Sequence, residues 1–110
     1  MTLGAGRRDQ RIEFQRLSAD TDDYGEEVPG AWVKIQSALA AVRYGASQER
    51  REAATTGSAQ AATFRVLATS ALREVTGKDR LWFRGQPWDL AGPAAEVGRT
   101  ELEFTATRAG

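Results

Sequence analysis

DRLWFRGQPWDLAG, Asp79 to Gly92, is the segment from which the architecture of this chain is most directly read. Leu81 and Phe83 fall on one side of an alternating tract, with Trp82 on the other. Past Gly85-Gln86 the alternation resumes with Trp88 and Leu90. Two half-buried strands joined by a two-residue glycine turn make a β-hairpin, and glycine in the first turn position predicts a type II′ turn. Pro87 has no N–H to give a ladder, so it marks a strand start or a sheet edge.

The same period recurs outward from this hairpin. Gln10–Leu17 places Ile12 and Phe14 together, TFRVLATS places Phe64, Val66 and Ala68 together, and RTELEFTATR places Leu102, Phe104 and Ala106 together. Ala31 to Tyr44 reads as one long strand, or as two with a bend near Ser37. Its small residues Ala38, Ala40 and Ala41 predict a large neighbour packed against them. Turn formers separate the tracts: SADTDDYGEEVPG, ALREVTGKD and AGPAAEVG. About six short strands without a long amphipathic helix predict an all-β domain, as a small barrel or sandwich. A barrel is the better expectation because closure removes exposed strand edges. The expected organisation is a flexible arm over 1–9 and one β-barrel over 10–110, with an inserted loop over 45–62.

Composition narrows the chemistry. The chain has 110 residues, no Cys and no His, and 15 basic residues against 15 acidic ones. Disulfides, thiolate nucleophiles, the usual zinc ligand sets and the commonest general base are therefore absent. No catalytic residue, metal site or cofactor is expected. Asp22, Asp23, Glu26 and Glu27 read as turn residues. GAGRR at Gly4 to Arg8 lacks the preceding strand and following helix of a phosphate-binding loop. Zero net charge disfavours tight non-specific nucleic-acid binding and favours self-association. Arg7 and Arg8 are not followed by an apolar stretch and no run approaches the length of a membrane span, so a soluble intracellular product is expected, with no membrane partner.

One segment resists the strand reading. SQERREAATTGSAQAAT, Ser47 to Thr63, contains no Val, Ile, Leu, Phe, Tyr or Trp. Three conformations fit its composition: a disordered loop, a short helix capped by Ser47 across one barrel mouth, or a segment ordered by several copies around an axis. In QERRE the glutamates neutralise the arginines, which reads as a solvated face. Trp32 and Trp88 are expected in the core. Trp82 faces outward and is a subunit-contact candidate.

The ordered set of features resembles the head–tail joining, or head-completion (stopper), proteins of long-tailed phages and gene transfer agents. It runs from RRDQRIEFQR through DDYGEEV, AW, LAAVRYG, the polar Glu- and Ala-containing loop and TFRV to DRLWFRGQPWDLAG and RTELEFTA. The chain departs from the family pattern at Leu39-Ala40-Ala41-Val42 and at ATSALRE. The resemblance implies a non-enzymatic β-barrel that forms a ring, sixfold by expectation, below the portal and its adaptor and above a tail terminator or tail tube protein. It implies a place in the neck of a virion or phage-like particle assembled in the bacterial cytoplasm. The loop would enter the channel and help hold packaged double-stranded DNA, with Gln48, Glu49, Arg50, Arg51, Glu52, Thr55 and Thr56 as its working residues. Trp82, Arg84 and Tyr24 are the candidates for subunit contact. Other connector rings (tail terminator or adaptor) and a small β-barrel module binding nucleic acid or peptide are the alternative readings.

Overall fold

In the computed structural model, residues 7–18, 20–21, 27–28, 30–45 and 60–108 are described. Each alternating tract forms a strand: β1 Gln10–Leu17, β4 Trp32–Tyr44, β5 Gln60–Leu67, β6 Arg80–Phe83, β7 Gln86–Leu90 and β9 Glu101–Arg108. Between β1 and β4, the pairs β2 Asp20–Thr21 and β3 Glu27–Val28 form a separate small ladder. A single helical turn, α1 Ser70–Arg73, precedes β6, and β8 Ala95–Val97 precedes β9.

The main sheet runs β5-β4-β1-β6-β7-β9, and β9 pairs back onto β5 from Gln60↔Arg108 to Leu67↔Glu101. That last ladder closes six antiparallel strands into a barrel. β8 adds to β9 alongside β7, on the stretch of edge that β7 leaves free. Closure gives every barrel strand two neighbours, which is how a small β-domain avoids open edges.

The inward faces are those that alternation predicts. Ile12, Phe14, Phe64, Val66, Leu81, Phe83, Trp88, Leu90, Leu102, Phe104 and Ala106 are buried in one cluster. Phe14 and Phe104 meet at a centroid distance of 4.6 Å, while Phe64 presents edge contacts to Phe83 at 5.3 Å and to Trp88 at 5.6 Å. Ala40 and Ala62 are fully buried among these rings, where larger side chains would compete for the same space. One end of the barrel is filled by Leu72 of α1 and by Val75. Thr69 caps that turn, its Oγ1 accepting from Leu72 N at 3.1 Å and donating to Gln36 Oε1 at 2.9 Å.

Four features differ from the sequence reading. β4 is one strand, but its register slips so that Phe14 faces Gln36 while Gln15 faces Lys34. Ile35 is the extra residue of a β-bulge, and the slip reverses the facing of everything before it. Trp32, expected in the core, therefore stands on the outer wall at 37% exposure. Second, the hairpin turn is Arg84-Gly85, because Phe83 pairs with Gln86. Both central residues have positive φ, 53° and 75°, which makes it a type I′ turn in place of the expected II′. Third, β5 begins at Gln60, so the last positions of the loop expected over 45–62 are barrel wall, with Ala62 fully buried. Fourth, α1 lies between β5 and β6, whereas the helix considered for the central segment falls outside the described residues. In the N-terminal arm, Arg8 pairs with Glu101 at 2.7 Å.

Candidate functional site: the open barrel mouth and the outer wall

The two ends of the barrel are unlike. At the closed end, Arg16 extends from β1 to Asp79, with Nε–Oδ1 at 2.9 Å and Nη2–Oδ2 at 3.0 Å. Arg16 also donates to the Glu74 carbonyl, and Asp79 accepts from Thr76 N at 2.9 Å. Asp79 is buried, and burial alone would raise its carboxyl. The hydrogen bonds from Arg16 and Thr76, together with the guanidinium charge, outweigh that effect and hold it below the ordinary carboxylate range. This pair ties β1 to the α1–β6 connection.

The other end is open and basic. The chain leaves the wall at Tyr44–Gly45, where Gly45 takes φ 55°, and re-enters at Gln60. Gly45 N donates to Ala61 O at 3.3 Å, so the two roots of the central segment stand side by side at this mouth. Arg84, on the tip of the β6–β7 turn, and Arg108, at the end of β9, flank a hollow of about 440 Å³ floored by Phe83 and Trp88. Arg108 donates to Gln86 Oε1 and Gln60 Oε1, and its Cζ lies 5.5 Å from the Trp88 ring centroid. A second hollow of about 340 Å³, lined in part by Arg7, Asp9 and Gln10, adjoins it and shares Tyr44 and Arg84.

The outer wall carries a stacked cluster. The bulge brings Trp32 outward opposite Leu17, and the ladder places Gln15 between Lys34 and Arg80. The Arg80 Cζ lies 4.1 Å from the Trp32 centroid and 5.4 Å from that of Trp82, while its Nε donates to Gln15 Oε1 at 2.7 Å. Gln15 in turn donates to Glu13 at 2.5 Å. A guanidinium within cation–π reach of two indoles and tied by a hydrogen bond makes a connected patch on the wall. Leu17 is exposed beside it.

Trp82 thus faces outward, as expected, on the wall with Trp32 and Arg80. Arg84 stands at the mouth, on the β6–β7 turn, and Tyr24 lies outside the described residues. So do Gln48, Glu49, Arg50, Arg51, Glu52, Thr55 and Thr56; what is described is the rim from which their segment departs. Among the described residues no group of three or more Asp or Glu is placed to hold a metal. Arg108 is not among the residues that the sequence analysis singles out, although its position carries a signal. It continues the inward phase of Leu102, Phe104 and Ala106 by one step, which puts a cation at the barrel rim.

Comparison with known proteins adds the following. A family model described as phage head completion protein matches residues 3–109. A Shigella flexneri 2a protein solved in solution superposes with a TM-score of 0.71 at 21% identity, over 100% of this chain and 97% of that one. A chain in the virion of a native gene transfer agent particle superposes with a TM-score of 0.60 at 19% identity, over 90% of this chain and 92% of that one. No curated protein matches the chain. At these identities the superpositions establish a shared fold.

Proposed function

The chain belongs to the phage head completion protein family, and from that membership we propose that it works as a stopper in the neck of a phage or gene-transfer-agent particle. Copies form a ring, sixfold in this reading, under the portal and adaptor. The ring offers a surface to the tail terminator or tail tube protein and closes the DNA channel after packaging. It does so by position and contact, without catalysis. Assembly takes place in the bacterial cytoplasm.

One observation carries this reading. Both roots of the polar central segment emerge together from one barrel mouth, while α1 fills the other end. A segment with no large apolar residue is thereby presented from a single pole of the subunit, as a ring needs in order to place equivalent segments around its axis. Gln48, Glu49, Arg50, Arg51, Glu52, Thr55 and Thr56 line the channel in this proposal, with the glutamates limiting how tightly the arginines hold phosphate. The wall cluster of Trp32, Arg80 and Trp82 serves as subunit contact, with Tyr24 as a further candidate. Arg80 stacks on one face of Trp32 and approaches Trp82, which leaves less indole surface for stacked bases, and a protein neighbour suits the patch better than single-stranded nucleic acid.

The test replaces residues 46–59 by a short Gly-Ser link. Loop-closure entropy changes slowly with length, so the melting temperature of the isolated protein should hardly move. Heads carrying the variant should package DNA and then release it, leaving empty, nuclease-sensitive particles. Full and infectious heads would refute the assignment of channel closure to this segment.

A further inference from the structure

Three features of the open mouth remain unexplained by a purely structural role. Arg84 takes φ 53° at a turn position that Asn, Asp or Gly fills with less strain. Strain of this kind persists where a site requires one side chain in one place. Arg84 and Arg108 also lack a carboxylate partner among the described residues. Their acceptors are neutral amide oxygens, Gln10 at 3.4 Å for Arg84, and Gln86 and Gln60 for Arg108. Finally, Trp88 lines the same hollow at 3% exposure, and its indole N–H is buried without an acceptor. Buried donors are nearly always satisfied, so this orphan makes the indole a sensitive reporter of changes at the mouth.

The unmet groups are donors and cations, and among the described residues Asp9 is the one acid lining the adjoining hollow. That combination selects an oxyanion. Guanidinium forks match phosphate oxygens in pairs, and both arginines keep N–H groups beyond those given to glutamine. We propose that the barrel mouth is a phosphate-binding site, in which Arg84 and Arg108 hold the anion over the Trp88 ring that lies under Arg108. The phosphodiester backbone of duplex DNA is the source when the mouth faces the channel, an assignment that rests on the proposed stopper role. Free phosphate offers the same chemistry without that role.

The experiment titrates the full-length, ¹⁵N-labelled protein with inorganic phosphate and, separately, with a short DNA duplex, against sodium chloride at matched ionic strength. The Trp88 indole N–H signal should shift saturably with both phosphate probes and stay still in the chloride control. Arg84→Asn with Arg108→Gln should weaken duplex binding at least tenfold and lower the slope of log affinity on log salt by about two, one for each lost phosphate contact. Arg84→Asn preserves the turn through an Asn-Gly pair, and Arg73→Gln at the closed end is the control for general charge loss. Binding of free phosphate without the duplex would uphold the site, remove DNA as its source and count against the channel assignment. A Trp88 signal that moves with neither probe would overturn the proposal. So would duplex binding that the double variant leaves intact, or capture of an acidic peptide where phosphate has no effect.

Discussion

Trp88 offers the sharpest test of how the barrel is held together. Its side chain is 3% exposed, meets Phe64 edge-on at 5.6 Å and Phe83 at 6.1 Å, and lies under Arg108. A buried indole removes about 200 Å² from water, which at about 25 cal/mol per Å² is about 5 kcal/mol as an upper bound. Large-to-small substitutions of buried aromatics cost about 3–5 kcal/mol. Trp88→Ala should therefore remove a large share of a total stability of about 5–15 kcal/mol, or abolish folding. Trp88→Phe separates packing from polarity. It keeps a ring against Phe64 and Phe83, loses part of the apolar area, and also removes a buried N–H whose lack of a partner costs about 1–3 kcal/mol. These terms oppose each other, so the phenylalanine variant should lie within about 1 kcal/mol of wild type. Urea titrations followed by far-ultraviolet circular dichroism measure both, with the slope m checking that the same surface unfolds. A midpoint for Trp88→Ala close to wild type would refute the packing argument. A loss in Trp88→Phe as large as in Trp88→Ala would show that the indole N–H is satisfied and stabilising.

Two further predictions use other parts of the barrel. Arg84→Asn should raise stability by about 0.5–1 kcal/mol in chemical denaturation, because asparagine tolerates positive φ better than arginine does; a lower midpoint would mean that the arginine contacts stabilise the turn more than its strain costs. The Asp79 carboxyl is held low in the folded state, so its contribution is fully present above the unfolded value of about 3.9 and is lost as pH falls through that value towards the folded one. Wild type should lose stability over this acid range more steeply than Asp79→Asn, and parallel pH profiles for the two would refute the ion-pair account.

Much of this architecture was legible without coordinates because a strand repeats every two residues. In β1, β6, β7 and β9 the alternation alone assigns Ile12, Phe14, Leu81, Phe83, Trp88, Leu90, Leu102 and Phe104 to the interior, and the structure buries them all. The outward direction of Trp82 follows from the same parity. Where that local rule is interrupted, parity assigns the wrong face. Trp32 shares the parity of Ala38 and Ala40 in the sequence, but one extra residue at Ile35 reverses it, and a bulge is selected by how β4 must bend to pair with both β1 and β5. The turn moved by one residue for a similar reason. Its position is set by which cross-strand pair closes the hairpin, and Phe83↔Gln86 leaves Arg84 to accept a positive φ. The basic mouth was the least visible feature. Tyr44, Gln60, Arg84 and Arg108 are far apart along the chain, and only closure of β9 onto β5 brings them around one opening. Strand period is a local property of the chain, whereas register, bulge and closure are decided by the neighbouring strands together, because each hydrogen-bonded ladder must satisfy two strands at once.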